Sequence, residues 1–233
     1  MLEGKRAVGD ALEAGVPVQE IFISDDLEID GSWDVPVHRV GGRVIKALSD
    51  AVTPQGVVAI AEMPAASLDA LAETDLALIL DGVSDPGNAG TLVRTAAAAG
   101  VGAVVFSAGS VDPFSPKCVR AAAGSLFATK IVIDVDAEEA IEVARSSGAK
   151  TVATAMTGTS YDECDMTDRV AIVAGSEAWG IDDAHRALCD EVISIPIIGS
   201  VESLNVAIAT GIVLFEALRQ RRLSSPPGRE RRG

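Results

Sequence analysis

Hydrophobic residues in the second and larger part of the chain fall into short continuous runs separated by segments of helical periodicity. The apolar runs predict strands at Leu76–Leu80, Ala103–Phe106, Thr129–Ile133, Thr151–Ala155, Val170–Ala174 and Val192–Ile195. The segments between and after them predict helices at Ala89–Gly100, Pro116–Ala123, Glu138–Ser146, Asp182–Leu188 and Leu204–Arg222. Short apolar strands that alternate with helices are typical of an α/β fold, in which a parallel sheet is covered on both faces.

A smaller set of elements precedes this pattern. It consists of helices and strands at Arg6–Ala14, Ile21–Ser24, Val35–Val40, Arg43–Leu48 and Val57–Ala61. The sequence therefore predicts a small α/β module over residues 1–62 and a linker with one helical turn over 63–75. The larger domain is expected over 76–222, and a basic tail rich in Ser, Pro and Arg over 223–233 is expected to be disordered.

The last predicted helix is unusually apolar. Between Leu204 and Leu218 its only charged residue is Glu216, which predicts burial on most sides. A polar turn precedes it, with Ser203 and Asn205 near the start of the helix, where backbone amides are unpaired and the helix dipole favours anions. This combination predicts a ligand site at the beginning of the helix.

Composition and residue spacing indicate the cellular location of the protein and exclude several classes of site. The 233 residues are 48% hydrophobic, no apolar run approaches the roughly 18 residues of a membrane span, and the first residues lack the hydrophobic region of a signal peptide. These two absences predict a protein that does not enter a membrane. The three cysteines lack Cys-x-x-Cys spacing, which favours reduced thiols and a cytoplasmic location. His38 and His185 show neither metal-ligand spacing nor a nucleophile partner, so we expect no metal and no histidine-based hydrolase.

The charge distribution argues against a general nucleic-acid binder. The formal net charge is −15, with 19 basic and 34 acidic residues, whereas contact with phosphates requires local Lys and Arg. Basic residues concentrate in the last fifteen positions and in a smaller group formed by His38, Arg39, Arg43 and Lys46. A solvated acidic surface with a basic tail is the simplest interpretation, and it allows RNA binding only at restricted patches.

Three loops follow predicted strands, at Asp81–Gly90, Gly175–Ile181 and Pro196–Asn205. Because parallel sheets bind ligands at the carboxyl ends of their strands, we expect all three loops at one edge of the sheet. The first loop lacks the G-x-G-x-x-G pattern of dinucleotide-binding proteins, and no Walker lysine follows it. These absences disfavour a nucleotide-dependent oxidoreductase.

Single residues in these loops leave alternatives open. Asn88 is either a helix cap or a site residue, and Arg94, which lies among apolar residues, is either part of a structural ion pair or a phosphate ligand. Glu177 lies between two glycines in a common turn pattern, and Ser203 is either a helix cap or a site residue. Trp179 is expected to pack against the protein rather than to stack on a base.

Taken together and in order, these segments resemble a known family. Asp85–Gly90 with Arg94, then Gly175–Gly180, then Ile195–Asn205 with the run from Glu216, are similar to the three motifs of the SpoU branch of the SPOUT methyltransferases. This branch is also called the TrmH family of RNA ribose 2′-O-methyltransferases. The resemblance covers about residues 76–222, and residues 2–61 resemble the small RNA-binding module of ribosomal-protein type that many members carry.

The resemblance implies a SPOUT domain with a C-terminal trefoil knot, S-adenosylmethionine as cofactor and a homodimer that completes the site. The residues implied in catalysis are Arg94, Asn88, Glu177, Ser203 and Asn205. Those implied in holding the cofactor are Thr154, Ala155, Gly175, Ile195, Ile198 and Leu204. Arg94 is expected to contact an RNA phosphate and the ribose 2′-oxygen, whereas the others hold the ribose and cofactor in register.

Members of the family act on transfer RNA or on large-subunit ribosomal RNA, and the N-terminal module favours 23S ribosomal RNA over transfer RNA. Two positions depart from the family pattern: Ala178 stands where members often have Gly, and Ala122 stands where they often have Ser. Neither departure removes a residue implied in the chemistry. A knotted RNA-binding protein without activity is the rival interpretation, and the presence of Arg94, Glu177 and Asn205 disfavours it.

Overall fold

A computed structural model describes residues 1–28, 33–49 and 51–224. The predicted disordered tail begins at residue 223, but Leu223 and Ser224 are the last residues of the final helix, and residues 225–233 lie outside the described part of the chain.

The first sixty residues build a four-stranded sheet with two helices. Its elements are β1 (Leu2–Glu3), α1 (Lys5–Glu13), β2 (Val18–Ser24), β3 (Val37–Val40), α2 (Gly42–Leu48) and β4 (Val57–Ala61). The strand order is β1-β4-β2-β3, with β4 antiparallel to both neighbours and β2 parallel to β3. The predicted α/β character of this region is confirmed. The strand β1 was not predicted because a two-residue strand carries no periodicity.

The remainder of the chain builds a seven-stranded parallel sheet. Its strands are β5 (Leu76–Asp81), β6 (Ala103–Ser107), β7 (Lys130–Val135), β8 (Lys150–Ala155), β9 (Thr159–Ser160), β10 (Val170–Gly175) and β11 (Glu191–Ser194). Its helices are α3 (Pro86–Ala99), α4 (Pro116–Ala122), α5 (Ala137–Ser146), α6 (Asp183–Leu188) and α7 (Val206–Ser224). The strand order is β7-β6-β5-β10-β8-β11-β9.

The continuous apolar runs mark the centre of this sheet. Every residue of β5, β6 and β10 is buried, which is expected of parallel strands covered on both faces. Alternate residues of β5 enter two separate hydrophobic clusters: Leu78 and Leu80 pack with α3, α4 and α7, whereas Ala77 and Ile79 pack with α5. The predicted parallel α/β fold is therefore confirmed.

The stretch predicted as a linker lies against the larger sheet. Ala65 forms a parallel bridge with Ile131, the amide of Ala66 donates to the Ile131 carbonyl at 2.7 Å, and a 3-10 helix at Leu68–Glu73 packs on α5. The two parts of the chain also meet directly. A Cβ atom placed on Gly124 would lie 1.8 Å from Oδ2 of Asp10 in α1, so α1 sits close against the larger domain.

Helix α7 is less buried than the sequence predicts. It packs against α3 through a buried face whose members are Ala207, Thr210, Val213, Leu214 and Ala217. Its opposite face is open, since Ile208 is 58% and Phe215 is 48% exposed. Burial on most sides is therefore wrong for a single copy of the chain. None of the described helices combines the length and hydropathy needed to cross a membrane.

Candidate active site

The three loops singled out in the sequence meet at one edge of the larger sheet, as predicted. Strands β5 and β10 are neighbours in register, with Asp81 beside Gly175 at their carboxyl ends. Strand β8 lies on the other side of β10, and β11 follows β8. Because all these strands are parallel, the segments that follow them leave the sheet at the same edge.

A chain of hydrogen bonds between side chains joins the three loops. The amide Nδ2 of Asn205 donates to Oδ1 of Asn88 at 3.0 Å, and Nδ2 of Asn88 donates to Oε1 of Glu177 at 2.8 Å. The amide and hydroxyl of Ser84 lie 3.4 Å and 3.5 Å from Oε2 of Glu177. Residues separated by up to 117 positions are thus fixed relative to one another.

The starts of α3 and α7 explain how the two asparagines are aimed. Asp85 caps α3, since its Oδ1 accepts from the Asn88 amide at 2.8 Å and Pro86 occupies the first turn. The Asn88 side chain is therefore free to reach the other loops, and its interpretation as a cap is wrong. In α7 the cap is Asn205, whose Oδ1 accepts from the amides of Ala207 at 2.9 Å and Ile208 at 3.3 Å.

The hydrogen-bonded Glu177 carboxylate stays ionised. Partial burial raises its pKa, but the donated hydrogen bonds from the Asn88 side chain and from the backbone amides of Glu177, Ser84 and Asp85 outweigh this effect and lower the pKa below its ordinary value. The loop edge therefore holds a fixed negative charge with its hydrogen-bond acceptors already oriented.

Arg94 is exposed on α3, six residues after Asn88. Its side chain forms no ion pair and no hydrogen bond with any residue of 1–28, 33–49 or 51–224, so a structural ion pair with these residues is excluded. Gly90 lets α3 approach α4 closely, because a Cβ atom there would lie 2.6 Å from the Cys118 carbonyl oxygen. Lys117 on α4 pairs with Asp85 at 3.6 Å, whereas Arg120 is exposed and has no partner among the described residues.

The six residues implied in cofactor binding lie on the segments at the ends of β8, β10 and β11. Ile193 and Ser194 of β11 pair with Thr154 and Ala155 of β8, and Thr154 Oγ1 donates to the Val173 carbonyl at 3.1 Å. The structure places Ile195 directly after β11, while Ile198 is fully exposed and Leu204 is partly buried just before α7.

Gly175 ends β10 where the chain folds back on itself. A Cβ atom there would lie 2.0 Å from the carbonyl carbon of Gly180, so only glycine fits this position. Ser203 stays outside the hydrogen-bonded network, as Arg94 does, since it is exposed and its side chain bonds to no other described residue. Its interpretation as the cap of α7 is wrong because Asn205 takes that role.

Three features of the edge were missed in the sequence. Ser84 and Asp85 hydrogen-bond to Glu177 and to the Asn88 amide, and the Asp-Pro-Gly sequence at a helix start was a usable signal for the cap.

The other two features concern His185 and Trp179. Nδ1 of His185 lies 2.9 Å from Oδ2 of Asp81, a contact between residues 104 positions apart that no spacing predicts. Trp179 is 91% exposed, so its expected packing is wrong.

Comparisons with known proteins agree with this arrangement. The profile of the SpoU rRNA Methylase family matches residues 75–215, and that of the family RNA 2′-O ribose methyltransferase substrate binding matches residues 1–67. The chain is similar to the 23S rRNA (guanosine(2553)-2′-O)-methyltransferase RlmP of Bacillus subtilis, with 33% identity over 92% of this chain and 86% of the relative.

It is also similar to the 23S rRNA (uridine(2479)-2′-O)-methyltransferase of Streptomyces viridochromogenes, with 32% identity over 95% of this chain and 83% of the relative. The crystal structure of the SpoU methyltransferase AviRb from the same organism, in complex with AdoMet, superposes with a TM-score of 0.86 at 30% identity and covers 97% of this chain and 91% of that one. The extent of these matches, together with the three joined loops, means that the chain belongs to the SpoU rRNA methylase family.

Proposed function

We propose that this protein is an S-adenosylmethionine-dependent methyltransferase that modifies a ribose 2′-hydroxyl of 23S ribosomal RNA. The observation that carries the proposal is the hydrogen-bonded connection of Asn205, Asn88 and Glu177, together with Arg94, which is exposed on the same helix α3 as Asn88 and has no side-chain partner among the described residues. Relatives that act on 23S RNA match over most of their length, including the N-terminal module. Transfer RNA is the alternative substrate. A ribosomal substrate also supports the predicted cytoplasmic location.

The residues at the ends of β8, β10 and β11 fit the cofactor. Apolar side chains stand open to solvent on two of these segments, Met156 after β8 and Ile198 after β11, and they offer a surface for a flat adenine ring. The segments of Thr154, Ala155, Gly175, Ile195 and Leu204 offer backbone groups for its polar edges. When bound, S-adenosylmethionine supplies an electrophilic methyl group.

Arg94 is proposed to bind the RNA. Its guanidinium remains charged at neutral pH and presents a planar set of donors that matches a phosphate. A phosphodiester held there places the neighbouring ribose near Asn88 and Glu177. The same positive charge stabilises negative charge that develops on the 2′-oxygen as its proton leaves.

The asparagine and glutamate residues are proposed to position the ribose and the cofactor. Asn88 is held from both sides, by Asn205 and by Glu177, so its amide cannot rotate freely. A rigid arrangement of this kind lowers the barrier because the reacting groups need not be ordered during the reaction. Ser203, which is exposed on the adjoining loop, is proposed to contact the substrate once it is bound.

Few basic side chains remain available for RNA, which supports binding at restricted patches. Most Lys and Arg side chains of the described residues bond to carboxylates or carbonyl groups of the protein itself. The basic residues without such a partner among the described residues are Arg43, Lys46, Arg94, Arg120 and Arg222. Two of them lie on α2 of the N-terminal module and two on the α3–α4 pair beside the candidate site.

Transfer of labelled methyl from S-adenosylmethionine to total RNA of a strain that lacks this gene tests the proposal. We expect label in one 23S fragment, in a linkage that resists alkali, and its loss with Arg94→Ala. Arg186→Ala is the matched control, because Arg186 is paired with Asp183 on α6. Label in transfer RNA would select the alternative substrate. Absence of label from every RNA, despite cofactor binding, would favour a non-catalytic RNA-binding protein.

A homodimer is proposed on the basis of the open face of α7. Ile208 and Phe215 lie two helical turns apart and are about half exposed, whereas monomeric proteins rarely leave such apolar faces uncovered. Phe215→Glu is expected to convert a dimer to a monomer in sedimentation equilibrium. Leu223→Glu, which changes an exposed apolar residue at the end of the same helix, is expected to leave the dimer intact. A wild-type monomer at micromolar concentration would contradict the proposal.

A trefoil knot is proposed from the family resemblance and the strand order. Strand β11 lies between β8 and β9, although β9 directly follows β8 in the chain, so the later strand enters between two earlier ones. The connection passes closely over β11, since a Cβ on Gly158 would lie 2.4 Å from the Val192 carbonyl oxygen. Gly158→Ala is expected to lower the melting temperature clearly. An unchanged value would argue against this crossing.

A further inference from the structure

Trp179 stands out among the aromatic residues. Its side chain is 91% exposed, although an indole ring is large and mostly apolar and is usually well buried. Apart from Phe215, which is half-exposed on the open face of α7, the other aromatic side chains have partners within the protein. Phe106 is fully buried, Trp33 and Tyr161 pack against the core, and Phe22 stacks on His38 with ring centroids 5.2 Å apart.

The exposed ring is carried by a rigid turn. Ser176 and Gly180 exchange two backbone hydrogen bonds, of 3.0 Å and 2.9 Å, which close the turn. The Trp179 amide donates to Oγ of Ser176 at 3.1 Å, and the turn folds back tightly against Gly175. The backbone that bears the indole is therefore fixed before any ligand arrives.

The same turn carries Glu177. Its carboxylate is bonded to Asn88 and Ser84, so the base of the turn is tied to the candidate catalytic network while Trp179 stands two residues further along. A group recognised by Trp179 must consequently lie next to whatever occupies the network. The apolar residues of α7 are borne by a different element, which is docked on α3.

We propose that Trp179 is a stacking platform for an unpaired base of the substrate RNA, next to the ribose that receives the methyl group. This inference rests on the proposed function. Proteins recognise single-stranded RNA chiefly by stacking its bases on aromatic side chains, and a stacked base fixes the nucleotide beside it. Arg94 then binds the phosphate of the substrate, and Trp179 stacks on the base next to the methylated ribose, so the RNA is held on both sides of the reacting nucleotide.

Fluorescence of a protein with Trp179 as its only tryptophan tests the contact. The sequence contains two tryptophans, so Trp33→Phe leaves Trp179 alone while it keeps an aromatic ring at the position packed on the core. We expect quenching on titration with the RNA fragment that accepts label. Quenching by S-adenosylmethionine alone would assign the ring to the cofactor. A change with protein concentration and no ligand would assign it to a second copy, and both results would overturn the proposal.

Kinetics separate stacking from a general structural role. Trp179→Ala is expected to raise the RNA KM about 10-fold, equivalent to about 1.4 kcal/mol of stacking, and to leave the Kd for S-adenosylmethionine unchanged. Trp179→Phe is expected to restore most of the RNA affinity. An unchanged KM with full methylation would refute the stacking while leaving the proposed function intact. If the wild-type protein itself does not methylate RNA, the proposed function is refuted instead.

Discussion

Replacement of Asn88 by Asp tests the network with a minimal change of shape. The new carboxylate keeps the acceptor for Asn205, but it exchanges the donor that faces Glu177, at 2.8 Å, for a second negative oxygen. Two unit charges at that distance repel by about 1.5 kcal/mol in water and by about 6 kcal/mol at an effective dielectric constant near 20. Glu177 is exposed and Asn88 is only half-buried, so the repulsion lies at or above the value in water, and we expect kcat/KM to fall at least about 10-fold.

The pH dependence identifies the cause. Like charges in contact raise the pKa of one member of the pair, so Asn88→Asp should recover activity relative to wild type as the pH is lowered from about 8 to about 6. A proton between the two carboxyl groups then replaces the lost donor. Asn88→Ala removes the donor without adding a charge, and its relative activity should not recover in the same range.

The assay is methyl transfer to the labelled 23S fragment at saturating cofactor, with melting temperatures measured for every variant. Ala98→Asp, on an exposed position of the same helix ten residues further along, adds the same charge away from Glu177 and serves as the control. The reasoning is refuted if Asn88→Asp retains full activity at pH 8, or if Ala98→Asp causes an equal loss.

Two further predictions concern stability. Gly124 and Gly148 both have φ of +85°, but only Gly124 faces Asp10. In urea unfolding, Gly124→Ala should therefore lower the free energy of unfolding by about 1–3 kcal/mol more than Gly148→Ala does. Asp10→Ala should remove most of this difference, because it removes the side chain that the new methyl group meets. Partial burial lowers the pKa of His185, but its hydrogen bond to Asp81 and the nearby carboxylates outweigh this and raise it. Since the folded pKa is raised, the stabilisation is complete below the unfolded value of about 6.5 and is lost as pH rises through the folded value. His185→Gln should therefore cost most below about pH 6 and little at pH 9, and a pH-independent cost would contradict this.

Helix and strand positions in the larger domain followed closely from the sequence. Short continuous apolar runs, alternating with helical segments, favour strands buried on both faces, and the structure shows β5, β6 and β10 buried throughout. The meeting of the three loops also followed, because parallel strands end at the same edge. Short elements such as β1 and β9 did not, because two residues contain no period and their pairing depends on distant partners.

Local ambiguity was resolved only by tertiary contacts. As sequence, Asn88 and Ser203 are equally good helix caps, because each is a small polar residue near a helix start. The fold assigned capping to Asp85 and Asn205 and turned the Asn88 amide toward Glu177. A hydrogen bond between residues 89 positions apart has no signature in spacing, since it depends on which strands become neighbours.

Periodicity and motifs within short segments were enough to predict the parallel α/β architecture, the edge of the sheet where the site lies and the family resemblance. The folded structure was needed to show that Arg94 has no side-chain partner among the described residues, that Trp179 is exposed and that one face of α7 is uncovered. Exposure and pairing are properties of surfaces brought together by folding, and residues distant in the chain determine them. The identity of the candidate site residues could thus be read from short motifs, whereas their exposure and their hydrogen-bond partners depended on how the whole sheet packs.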